Sequence, residues 1–382
     1  VSIVMKKAAA ARVPGKWEAF RWALEPGAEG GGTSRARLAW RALRATLWHG
    51  KALRRWMLVV FELHSREILH DLPGEYLRAI RPSVRGDTGF GERVVQLIEH
   101  ADWLETAFQP EAFAQFVSGE PLVLAELAPP RGYDILRLQL EHASPQSTEG
   151  EMLLTLSLRR SADVQHKPQP VEVGVLCFSR FRVDGVGCLV IGGVRGQRNS
   201  IQRISDTEVA QALQGWKPAV LLVTVAQELA RYWGLRLIGL DPLSHRLHGW
   251  SYRWNKRYRD AGERIFASYD ALWAHFGAQT GPSGWMIMPT DSDEMLAATA
   301  LSPEKRARQT KRADYWIRTR NLLRARFKLL LQRPHREPSL KRITQSQERD
   351  SAAEPDTIDF QPSGPPVPDR VLQTAPGTLD QI

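Results

Sequence analysis

The 382-residue chain is poor in cysteine and lacks both long apolar runs and recognisable metal-ligand spacings. Its two cysteines, Cys177 and Cys188, are too few for a disulfide framework. Both fall on adjacent expected strands and read as packed thiols. No Cys/His spacing resembles a zinc site, so no metal site is expected. No apolar run reaches the roughly 18 residues that a helix needs to cross a bilayer. The opening stretch VSIVMKKAAAARVPGKW has no apolar core of signal-peptide length. A cytoplasmic protein is the resulting expectation.

What is plentiful is positive charge, and it is unevenly placed. The net charge is +10. Fourteen Lys/Arg against three acids lie between Pro303 and Thr344, a local excess of +11 that leaves the rest near neutral. A nucleic-acid surface spread over the core is therefore not expected. Hydrophobic residues at 43% and charged residues at 25% are ordinary globular values.

The chain divides by pattern. Residues 1–34 end in GAEGGGTS and read as a flexible leader; residues 35–130 read as a helical N-terminal region. From Arg35 onward, Arg37, Arg41, Arg44, Lys51 and Arg55 form a basic stripe, with Trp48 on the same line. Trp40, Leu43 and Leu47 are the expected apolar side. No acid occurs between Arg35 and Arg55. Such a helix either docks on its own domain or lies on an anionic membrane surface. His100 reads as an ordinary core histidine. Pro129-Pro130-Arg131-Gly132 breaks the chain and opens a β-rich core, residues 131–280.

In that core, Ile135–Glu141, Glu151–Arg160 and Val171–Val183 read as strands. The third turns at Asp184-Gly185, a dipeptide suited to a type I′ hairpin, into Gly187–Val194. A helix opens at Lys217-Pro218, because proline is tolerated where the first N–H has no helical partner. Gly234 is its expected left-handed cap, and Leu235–Leu240 follows as a buried strand. Strand, helix and strand make a crossover, so the strands around Cys188 and Leu237 should be parallel neighbours. The expected fold is mixed α+β or α/β: an antiparallel meander running into one β-α-β unit. That order resembles the core of acyl-CoA-dependent N-acyltransferases (GNAT-like).

By that analogy, the amides near Arg195-Gly196 and the helix start at Lys217-Pro218 would hold the phosphates of an acyl-CoA co-substrate. His245, after the second parallel strand, is the expected base; Tyr252 or Tyr269 would protonate the leaving thiolate. Residues 281–332 read as a linker and a second basic amphipathic helix, with Trp316, Leu323, Phe327 and Leu330 on one face. Residues 333–382 read as a disordered tail.

At Phe178-Ser179-Arg180-Phe181, Ile191-Gly192-Gly193-Val194-Arg195-Gly196, Trp216-Lys217-Pro218, Ser244-His245 and Ser268-Tyr269-Asp270-Ala271-Leu272-Trp273, the chain resembles the bacterial VirK/YbjX family (DUF535). The resemblance covers roughly Trp40–Gly277. It departs from the family pattern at Ala101, Arg195 and Asp241-Pro242. What it implies is a role in virulence and in envelope or surface properties, with membrane association and no established reaction. Two readings follow: an acyl-CoA-dependent N-acyltransferase near the inner membrane, or a non-catalytic peripheral factor assisting an envelope protein. Nucleic acid is not an expected partner.

Overall fold

A computed structural model describes residues 16–24, 35–66, 69, 71–81, 83–128, 133–144, 147, 149–160, 170–197, 204–246, 269–281, 284–289 and 303–333. Tyr252 lies outside these residues, as does nearly all of the 333–382 tail. Residues Val1–Pro334 form one unit, and His335–Ile382 a second that lies wholly outside the described residues.

An open eight-stranded sheet runs in the order β1-β2-β3-β4-β5-β6-β8-β7. Its strands are β1 (Leu122–Leu127), β2 (Tyr133–His142), β3 (Met152–Arg160), β4 (Val171–Val183), β5 (Val186–Gly196), β6 (Arg236–Leu240), β7 (Gln279–Thr280) and β8 (Trp285–Met288). All neighbours are antiparallel except β5 and β6, which pair in parallel from Cys188–Arg236 to Ile191–Gly239. This is the mixed α+β architecture expected, with the meander and the crossover in their expected places. Asp184 and Gly185 both have positive φ, 51° and 76°, as a type I′ turn requires. The crossover helix α8 (Pro218–Trp233) ends on Gly234 in the left-handed region.

The remaining helices are α1 (Lys16–Leu24), α2 (Arg35–Trp48), α3 (Gly50–Ser65), α4 (Leu72–Arg78), α5 (Phe90–Ala107), α6 (Pro110–Val117), α7 (Asp206–Ala212), α9 (269–275) and α10 (Pro303–Leu330). Trp233, Trp273, Trp316 and Phe327 are buried in the main core, which reaches from α5 through the sheet to α8, α9 and α10. A separate cluster joins α1, α2, α3, α4 and α5, where the Trp22 ring stacks on Tyr76 at 4.8 Å.

The sequence boundaries shift in three places. Within the expected leader, α1 is helical and buries Trp22 and Ala23. The sheet starts at Leu122, before the Pro129 break, and ends at Met288, beyond residue 280. The basic helix α10 is not peripheral: Trp316, Leu323, Phe327 and Leu330 do share a face, and that face is buried in the main core. Its arginines tie it further, Arg324 Nε donating to Glu228 at 3.1 Å and Arg326 Nε to the Val123 carbonyl at 3.0 Å.

Helix α2 is turned about its axis relative to expectation. It buries Leu38, Ala39, Ala42 and Ala45 and leaves Trp40, Leu47 and Trp48 exposed. Alanines permit the close approach of α1 that the indoles would block.

Candidate functional site at the parting of two parallel strands

β5 outruns β6. Beyond Ile191–Gly239 the parallel ladder stops, while β5 continues to Gly196, still paired with β4 on its other edge. The released edge needs new hydrogen-bond partners. The N–H of Val194 finds one in the hydroxyl of Tyr269, 3.0 Å away. Tyr269 comes from α9, whose Trp273 donates from Nε1 to the Leu240 carbonyl at 2.9 Å. The Trp273 ring packs over Gly239, where an added Cβ would come within 2.8 Å of it.

Gly192 and Gly193 have a local reason. The β4–β5 register shifts between Cys177–Gly193 and Phe178–Ile191, making Gly192 the extra residue of a bulge. The loop before β3 crosses this bulge. A Cβ on Gly192 would collide with the Glu149 carbonyl oxygen, and one on Gly193 would lie 2.6 Å from Glu149 Oε2. Only glycine lets the carboxylate approach so closely.

A polar cluster results. Cys177 Sγ lies 3.6 Å from Glu149 Oε2. Arg195 stands between two acids, its Nη1 4.0 Å from Glu149 Oε2 and its Nε 4.0 Å from Glu172 Oε1. Those last two atoms, Arg195 Nε and Glu172 Oε1, are buried without a hydrogen-bond partner. The side chains of Glu149, Glu172 and Arg195 each remain 36% exposed, so the cluster opens to solvent. Burial, reinforced by Glu149, pushes the Tyr269 phenol and the Cys177 thiol above their ordinary ranges. Both are therefore protonated at neutral pH. Cys177 is no thiolate nucleophile. Tyr269 is a neutral acid whose proton is not used by Val194, which donates.

His245 follows the short turn after β6. It is 5% exposed, and its backbone bridges Arg85. The preceding turn is held by Asp241, whose carboxylate accepts from the Leu243 N–H at 3.1 Å and from Ser244 Oγ at 3.3 Å. Val84 lies between the two regions: its carbonyl accepts from the Arg246 N–H, and its side chain is 3.3 Å from the Cβ position of Gly192.

The helix start expected to hold phosphates lies at the same end of β5. Pro218 packs against Gly174, which pairs with Gly196. Lys217 is the exposed residue before the first turn of α8. Arg312 of α10 lies against Gly215, its Nε 3.0 Å from the Cβ position there. Burial first, then the charges of Lys217 and Arg312, lower the His275 imidazole below its usual value. Three basic side chains from three elements thus gather around this end of α8.

A second, deeper cluster was not anticipated. Arg78 is 2% exposed and donates from Nε and Nη2 to Glu75 at 2.7 and 2.9 Å. It also pairs with Glu151, which accepts from Arg93 at 2.6 Å as well. Burial would raise the Glu151 carboxyl, but Arg78 and Arg93 hold it down at about 2. His100 is kept neutral by burial, its value lowered to about 3, and its Nδ1 accepts from the Arg180 N–H at 3.1 Å. These charges pair with one another and are closed to solvent, although Arg93 Nε and His100 Nε2 are buried without a hydrogen-bond partner. They lock α4 and α5 to the sheet rather than offer a site. Among the described residues, no group of three His, Cys, Asp or Glu side chains is placed to hold a metal ion. No helix among them is long and apolar enough to cross a membrane.

The fold and this arrangement define a mixed α+β protein with a polar cluster where two parallel strands part. The family model described as "Protein of unknown function (DUF535)" matches residues 32–319. The chain belongs to that family, the one that also carries the VirK/YbjX name. No curated protein and no solved structure matches it.

Proposed function

We propose that the chain moves an acyl group from a coenzyme A-type thioester to an amine at the end of β5, on a GNAT-like core. One observation carries this reading: the protonated Tyr269 hydroxyl is held by the Val194 N–H in the gap between β5 and β6, and the open carboxylate of Glu149 lies against Gly193, the preceding residue of the same strand. In the transfer a C–N bond forms and a C–S bond breaks. Glu149 takes the proton released by the attacking amine, and Tyr269 gives its proton to the departing sulfur. The Val194 N–H then stabilises the phenolate left behind. In this scheme Glu149, whose carboxylate faces solvent within the cluster, takes the role of base that the sequence assigns to His245.

Lys217 and Arg312 supply the positive charge that a donor's phosphates need, next to the first turn of α8, with the His275 imidazole beside them kept neutral. Arg195 and Glu172, with unspent hydrogen-bonding atoms, line the opening toward the acceptor. In this reading the acceptor belongs to the cell envelope and the reaction takes place on the cytoplasmic side, in keeping with what the VirK/YbjX resemblance implies.

The test is calorimetric titration of coenzyme A and long-chain acyl-CoA into the full chain, since removing α10 would open the core. Saturable binding at micromolar concentrations, weakened at least tenfold in K217A/R312A, is expected. Y269F should keep that binding and lose transfer to an amine. Flat heats at millimolar ligand overturn the proposal.

A further inference from the structure

We infer that the exposed face of α2 docks on an anionic lipid bilayer. Arg37, Trp40, Arg44, Leu47 and Trp48 recur at three- and four-residue steps, one stripe along the helix. All five are exposed, Trp40 at 56%, Leu47 at 55% and Trp48 at 65%. The opposite side of α2 is buried through Leu38, Ala39, Ala42 and Ala45. The stripe is thus held outward by the fold itself.

Its composition selects the partner. Two indoles and a leucine in water are unfavourable, and indoles prefer the headgroup level of a bilayer. Arginine stems lie along apolar surface while their heads reach phosphate. No acid interrupts the sequence from Arg35 to Arg55, and Lys51 and Arg54 continue the exposed positive charge onto α3. Charge of one sign with indoles set among it matches anionic headgroups over an apolar layer. The other basic helix, α10, exposes Ile317, Leu322 and Leu329 but no indole, since its Trp316 is buried in the core. The inference is independent of acyl transfer.

The experiment is co-sedimentation of the full chain with vesicles of phosphatidylglycerol and phosphatidylcholine, against vesicles of phosphatidylcholine alone. Binding to the anionic vesicles only, lost at high salt, is expected. W40S/W48S and R37E/R44E should each weaken it roughly tenfold with an unchanged melting temperature. Quenching of tryptophan fluorescence by brominated lipid should fall in W40S/W48S. K311E/R318E, the same charge change on exposed positions of α10, should leave binding intact. No sedimentation at millimolar lipid overturns the inference. So does equal binding to neutral vesicles, equal loss in K311E/R318E, or binding to an oligonucleotide or an acidic protein without binding to vesicles.

Discussion

The N–H of Val194 donates to the hydroxyl of Tyr269 across 3.0 Å, in a gap where a parallel neighbour strand would otherwise stand. A side chain from a later helix thus completes the edge of a strand. Tyr269→Phe keeps the ring and removes the hydroxyl that accepts from Val194. The buried N–H is then unpaired, at a cost of about 1–3 kcal/mol. Urea unfolding of the variant measures it. A loss well below that range would mean that Val194 finds another partner, and that the gap is wetter than the 7% exposure of Tyr269 indicates.

Gly192 and Gly193 differ in what blocks a side chain. At Gly192 the obstacle is the backbone carbonyl of Glu149; at Gly193 the nearest atom is the end of the Glu149 carboxylate. A carboxylate can swing aside, whereas a loop backbone cannot without moving its neighbours. Gly192→Ala should therefore destabilise by about 3 kcal/mol or more, and Gly193→Ala by about 1 kcal/mol. Gly193→Ala should nevertheless displace Glu149 and lower any transfer activity. Equal stability losses would contradict this account of the crossing loop.

The meander and the crossover were legible for a physical reason. Buried parallel strands read as continuous apolar runs, as Cys188–Ile191 and Leu237–Leu240 do. Asp184-Gly185 and Gly234 have the conformations that their residue types favour. β1 was missed because Leu122–Leu127 mixes Leu, Ala and Glu, which suit a helix equally well. β8 has four residues, too few to show a period. On α2, pattern reading favours large apolar side chains as the buried side, whereas helix packing here selected alanines. Tyr269 and Arg195 were named from sequence and lie in the cluster at the end of β5. Glu149 was not named, since an acid in a Ser/Thr/Gly-rich loop carries no local signal. Its position depends on where the loop crosses the sheet.

The interior of α10 offers a paired comparison. Phe327 is fully buried and packs edge-on to the Tyr232 ring at 5.5 Å, while Leu329 is 66% exposed. Phe327→Ala should cost about 3–5 kcal/mol, and Leu329→Ala no more than about 0.5 kcal/mol. Truncation before Pro303 should yield protein without a cooperative melting transition. A truncated chain that melts like the intact one would return α10 to the periphery.

Acid sensitivity follows from the buried cluster, and both groups act in the same direction. His100 falls from 6.5 to about 3 on folding, through burial. The unfolded chain takes up that proton first, so the contribution of neutral His100 is complete above pH 6.5 and is lost as pH falls toward 3. Glu151 falls from 4.5 to about 2, with Arg78 and Arg93 overcoming burial. Its contribution is complete above pH 4.5 and is lost as pH falls toward 2. Stability should decline by several kcal/mol between pH 6.5 and 3. His100→Gln keeps an acceptor for the Arg180 N–H while removing the titration. It should reduce the slope between pH 6.5 and 5.5, above the range in which Glu151 protonates in the unfolded chain, leaving the share that His142 contributes. Glu151→Gln should instead lower stability at every pH above 4.5, by about 3–5 kcal/mol, because it leaves Arg78 and Arg93 buried beside a neutral amide. Denaturant titrations at pH 7.5, 5.5 and 4 separate the two. An unflattened curve for His100→Gln would move the acid response from His100 to His142, which burial also lowers, and to the carboxylates.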